Sequence, residues 1–234
     1  VPATAKKGVQ RVSWDLRYPS MDAIGTPPDY FNPEPVGFLA MPGDYKATLE
    51  KRVDGVVTEI AGPVEVKVEQ MRSGSLPAKS LAETGAFMKR LARVNAGVSA
   101  SNLHMPALKL RVDQLGQALA RSQASPTVDQ QFEAARQTLF QIEEALSNSG
   151  SKAEIGEPEP HILAQRYWHA MLGVSFSSYG PTPSHERSLQ LAEAELASLS
   201  SQVKQLEEQT LPAIEKALRE AGAPWSPGQP LPGG

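Results

Sequence analysis

Tyr45-Lys46-Ala47-Thr48-Leu49-Glu50, Asp54-Gly55, Val56-Val57-Thr58-Glu59-Ile60 and Val64-Glu65-Val66-Lys67-Val68 are the runs on which the fold turns. Tyr45, Ala47 and Leu49 alternate with Lys46, Thr48 and Glu50, the period of two expected of a half-buried strand. Asp54-Gly55 between two β-rich runs is a strong hairpin signal. Met41-Pro42-Gly43-Asp44 reads as a turn leading in, with proline where φ must be near −65° and glycine next. Ala61-Gly62-Pro63 is expected to end the return strand, and Val64, Val66 and Val68 to open a third. Working outward, Val12, Trp14 and Leu16 alternate with Ser13 and Asp15 and predict another strand. From Pro19 to Pro35 the prolines lack amide donors and fix φ, so this stretch is expected to be a long ordered loop. Short strands with turns about every ten residues suggest an antiparallel sandwich.

From Leu76 the apolar period changes to that of a helix. Leu81, Met88, Leu91 and Val98 predict a helix over 81–98, weakened by Gly85 and Gly97. Leu108, Val112, Leu115 and Leu119 share one helical face, as do Phe132, Ala135, Leu139, Ile142 and Leu146. Ser125-Pro126 is a good start for the second set: serine can cap free amides, and proline is tolerated at the first position. Asn148 to Pro160 is a polar break, after which Pro160 is expected to open a short helix carrying Tyr167, Trp168 and Met171. In Gly180-Pro181-Thr182-Pro183, Thr182 is the expected cap of a helix running to Ala221, with Glu186 where the helix dipole favours negative charge. Leu189, Ala192, Leu196, Leu199, Val203 and Leu206 form an a/d stripe on it. Packing of that stripe within its own bundle is favoured over a dimer seam. Pro212 should kink or break the helix.

The expectation is therefore an α+β chain of two domains. Residues 1–72 form an immunoglobulin-like antiparallel β-sandwich, 73–222 an all-α bundle of about five helices, and 223–234 a Pro/Gly-rich tail. Trp225 either folds back on the bundle or anchors a partner.

Composition excludes several functions. The chain has 234 residues, 40% of them hydrophobic, enough for a real core. Its 23 basic and 26 acidic residues leave no electrostatic footprint for nucleic acid or an anionic membrane. No apolar run approaches a bilayer span. The absence of cysteine removes disulfides, thiolate metal sites and cysteine nucleophiles. Val1 is read as a processed terminus or a fragment boundary, with any targeting signal upstream.

No catalytic, cofactor-binding or metal site emerges. His104, His161, His169 and His185 lack the spacing of a zinc motif; His161 and His169 are eight apart, about two turns. Solvated or locally bonded histidines are the favoured reading. Glu157 and Glu159 are a carboxylate pair of the type that hydrolyses glycosides, but between prolines they read better as dipole-favoured acids at a helix start. There is no Gly-x-Ser-x-Gly elbow, and Ser73-Gly74-Ser75 reads as an interdomain connection rather than a phosphate loop. Trp14, with Val12 and Leu16 on its face, is expected in the sandwich core rather than on the surface stacking on a sugar. Asp15 and Arg17 are expected to form a structural ion pair. Tyr18, Tyr30 and Phe31 are expected to pin the Pro-rich loop to the sandwich.

Val12-Ser13-Trp14-Asp15-Leu16-Arg17-Tyr18-Pro19 followed by Met41-Pro42-Gly43-Asp44-Tyr45-Lys46-Ala47-Thr48-Leu49 resembles the C-terminal region of bacterial exported proteins with sortilin-like, BNR-repeat β-propellers, often labelled glycosyl hydrolases. The same arrangement is similar to the immunoglobulin-like domain of flagellar hook-capping proteins. The helix-opening units at Ser125-Pro126-Thr127 and Pro181-Thr182-Pro183 match the helical tail of the propeller proteins. The aspartate box that defines the propeller is absent. The resemblance implies a periplasmic or extracellular, non-catalytic module at the end of a larger protein. Its expected partners are the upstream propeller of the same chain and a protein partner or second copy through the bundle. The alternative it implies is a carbohydrate-binding accessory domain.

Overall fold

The computed structural model describes residues 1–28, 36–71, 74, 77–147, 154–155 and 162–229. Two strands, β1 (Gly43–Val53) and β2 (Val56–Val68), form one antiparallel hairpin. Helices α1 (Leu81–Leu119), α2 (Pro126–Leu146), α3 (Leu163–Ser175), α4 (Pro183–Gln205) and α5 (Leu211–Glu220) follow, with a π-helical turn at Leu206–Thr210 joining the last two.

The sandwich expected over residues 1–72 is not there. The described residues hold a single two-stranded ladder, so neither an immunoglobulin-like sandwich nor a propeller blade is present. Asp54-Gly55 makes the expected hairpin turn, with φ of 49° and 82°. Ala61-Gly62-Pro63 does not end the strand. β2 runs through it by slipping register against β1 between Ala47 and Glu50. Gly62, at φ 116°, lets the strand pass where a Cβ would meet the Ala47 carbonyl oxygen at 2.9 Å. Val12 to Leu16 joins no ladder. Leu16 takes φ 59°, which ends extended backbone, and one isolated bridge, Arg17 to Leu39, follows. Ala40 is the one buried apolar residue described before Leu81. Two strands cannot enclose a core between layers, which is the physical reason the sandwich reading fails.

The core lies among the helices. Ser80 caps α1 by a reciprocal capping box with Glu83. α1 is continuous for 39 residues and so merges the segment 81–98 with the stripe from Leu108. Phe87, Leu91, Val94, Leu108, Val112 and Leu115 are its buried face. α2 starts at Pro126, but the Ser125 side chain makes no capping bond; its carbonyl accepts from Val128 and Asp129 instead. Phe132, Ala135, Leu139, Ile142 and Leu146 are buried, as their spacing predicts. On α4, Leu189, Ala192 and Leu199 are buried within the same cluster, with Leu196 and Val203 packed against it. The stripe thus faces its own bundle.

Two features that weaken a helix in sequence act as contacts in three dimensions. A Cβ at Gly97 would land inside the Leu196 side chain, so this glycine sets how closely α1 and α4 approach. Pro212 neither stops nor sharply breaks the last helix. It sits at the start of α5, and the widened turn before it carries a bond from the Leu211 amide to the Leu206 carbonyl. That turn absorbs the missing donor and the clash that proline imposes on the preceding turn.

The chain beyond Gly222 folds back. Ala223 donates to the Leu218 carbonyl, Ser226 is buried and the Gln229 side chain donates to the Glu215 carbonyl. Beneath it Arg111 of α1 holds the buried Glu215 of α5 at 2.7 Å.

Candidate interaction groove

A concavity of about 1700 Å³ lies between α1, α3 and the segments 17–28 and 36–41. The stripe of α3 that faces the core is Leu163, Tyr167, Ala170 and Val174. A second stripe, Trp168, Met171, Leu172 and Phe176, turns into the groove. Trp168, Leu172 and Phe176 remain exposed, Phe176 at 85%. Met88 and Leu103 of α1 form the opposite wall, and Met21 and Leu39 the rim. Four methionines, Met21, Met41, Met88 and Met171, line it. Such unbranched, polarizable side chains adapt to irregular apolar partners.

Polar contacts fix the loop that closes one side. Asp22 accepts from Ser20 at 2.7 Å and from the Asn95 amide of α1, and the Ala23 amide donates to Ser99 Oγ at 2.9 Å. Burial, with a smaller contribution from the Asp22 charge, pushes the Tyr167 phenol up to about 12, so it is neutral at any physiological pH. Lys89 and Arg93 stand exposed on the α1 wall, where the Arg93 charge also acts on Glu193 of α4. The groove is thus apolar with a cationic margin.

Of the described histidines singled out by sequence, two are brought together, His169 and His185. His104 Nε2 lies 2.9 Å from Glu207, and His169 Nε2 lies 3.1 Å from Ser184. The His169 and His185 rings meet edge-on at 5.2 Å. His185 caps α4 by accepting from the Thr182 amide, and burial, then the His169 charge, lowers its pKa. Among the described residues no three histidines or carboxylates are placed to hold a metal. His161, Glu157, Glu159, Tyr30, Phe31, Ser73 and Ser75 lie outside the described residues.

Trp14 is not a core residue. Its indole donates to the Arg17 carbonyl at 2.8 Å, and its ring meets Tyr45 at 61°. Asp15 and Arg17 form no ion pair. The Asp15 carboxylate accepts from the Arg17 amide, and the guanidinium donates to the Gly37 carbonyl. Tyr18 is 42% exposed and reaches the Tyr45 hydroxyl at 3.1 Å, in place of a buried mini-core.

The groove itself was not visible as a site in the sequence. Its signal was the second apolar stripe on α3, since a helix apolar on two faces has more to cover than one core. No family model, curated protein or solved structure matches the chain. Among the described residues no helix is long and apolar enough to cross a membrane.

Proposed function

We propose that the chain is a non-catalytic structural and interaction module, the C-terminal part of a larger exported bacterial protein whose upstream part is a β-propeller. The groove between α1 and α3 carries this reading. Exposed Leu39, Trp168, Leu172 and Phe176 together form an apolar patch of the kind that marks a protein contact. A periplasmic or extracellular location follows from the family resemblance and is compatible with a chain free of thiols. The glycan-binding alternative has less support, because Trp14 and Tyr45 cross at 61° and offer no flat platform for a sugar ring.

The deciding experiment is to determine the coding sequence upstream of Val1. Propeller repeats with aspartate boxes behind a signal peptide are expected. A start codon and signal peptide directly before Val1 would overturn the reading.

A further inference from the structure

β1 is an open edge. Among the described residues it pairs with β2 alone, and every residue along it is exposed except the half-buried Tyr45. Alternate amides and carbonyls of such a strand point away from its one partner, where another strand can bond them. The two edges of the hairpin differ. β2 contains Pro63, which has no amide to donate, and both register slips place their surplus residue on β2. β1 contains no proline and no surplus residue from Gly43 to Val53.

The even-numbered side chains of β1 share one face and read Asp44, Lys46, Thr48, Glu50 and Arg52. That charge order is complementary to its own reverse. An antiparallel copy centred on Thr48 sets Asp44 opposite Arg52, Lys46 opposite Glu50 and one Thr48 opposite the other. On the odd face Ala47 then meets Leu49, and Tyr45 meets Lys51, whose aliphatic stem can lie along the ring. The neighbouring registers are opposed: centring on Ala47 sets Asp44 against Glu50, and centring on Leu49 sets Lys46 against Arg52. The hairpin's own ladder leaves half of this charge unmatched, with Glu50 directly opposite Glu59 and Arg52 opposite Val57. A second copy supplies Lys46 to the first and Asp44 to the second.

We propose that two copies of this chain pair antiparallel through β1, about a two-fold axis at Thr48, into a four-stranded sheet of order β2, β1, β1, β2. The contact is isologous, so each charge pair occurs twice. It adds strands in plane and leaves the apolar face of the hairpin as open as before.

Sedimentation equilibrium of the 234-residue chain over a roughly hundredfold range of concentration tests it. A monomer–dimer equilibrium is expected. Lys46→Glu sets acid against acid and Glu50→Lys sets base against base, so either change alone should weaken the dimer about tenfold or more. The double variant should restore it, and a mixture of the two single variants should form a heterodimer. Both positions are exposed, so the helical circular dichroism should stay unchanged throughout. A monomer at every concentration overturns the proposal, as does a double variant no tighter than the single ones. A dimer that both single variants leave intact also overturns it, because the contact would then lie elsewhere.

Discussion

Leu115 in α1 and Val64 in β2 both belong to regular apolar stripes, yet Leu115 is 0% exposed and Val64 is 64% exposed. The helical stripes find each other inside this chain: α1, α2, α3, α4 and α5 pool their buried residues in one cluster. Among the described residues the hairpin stripe meets Trp14 and Tyr18, both at Tyr45. Amphipathic pattern states that a face needs cover; it does not state which segment covers it. A stripe thus stabilises the fold here only where a second stripe lies within reach.

Paired truncation of the two stripes should give the largest difference. Leu115→Ala should cost about 3 kcal/mol in urea denaturation, from lost burial and the cavity left behind. Val64→Ala should cost less than about 0.5 kcal/mol, as expected of a surface position. Equal costs would mean that the hairpin face is covered after all. Next in size, Gly97→Ala should destabilise by about 2 kcal/mol by forcing Leu196 off α1, despite alanine's better helix propensity. A gain in stability there would show that α1 and α4 separate at no cost.

Electrostatic effects should be smaller and confined to the helical body. Arg90 of α1 grips Glu193 of α4 through two bonds of 2.9 and 2.8 Å and reaches Glu186 at 2.8 Å. The bond from Arg90 holds Glu193 below its ordinary value, against an opposing push from burial. The carboxylate's contribution is therefore complete above the ordinary carboxylate range and is lost as pH falls through its lowered folded value. These groups are part-exposed, so solvent screening reduces the effect. Arg90→Met should cost about 1 kcal/mol at neutral pH, with the difference from the parent shrinking in acid melts.

His185 gives a milder pH dependence. Its folded pKa is lowered from 6.5, so the unfolded chain takes up the proton first. Stability should decline by a few tenths of a kcal/mol as pH drops below about 6.5, and His185→Gln should flatten that slope. The smallest expected effect is on folding itself at the groove. Leu172→Asp and Phe176→Asp should leave the melting temperature within about 2 °C of the parent. Both should abolish association with an upstream fragment supplied in trans, read by analytical ultracentrifugation.

Much of the helical body was legible. The spacing of Phe132, Ala135, Leu139, Ile142 and Leu146 marks a buried face because a helix repeats its environment every three to four residues. Thr182 capping α4 was legible for a similar local reason: its hydroxyl accepts from His185 within one turn. The groove was not, because it is made by the separation of α1 from α3, which no local period encodes. Nor was the failure of Val12 to Leu16 to form a strand. A strand needs a partner, and the alternation of Val12, Trp14 and Leu16 says nothing about whether one is present.

Local sequence is enough for the Asp54-Gly55 turn, the helix starts near Leu81, Pro126 and Thr182, and the side of each helix that is apolar. These depend on dihedral preference and on bonds within a turn. The tertiary structure alone decided that Gly97 is a contact with Leu196, that a π turn carries the chain past Pro212, and that the hairpin's apolar face stays open. Each of those depends on what another segment does at a distance, which burial and packing decide and local pattern does not.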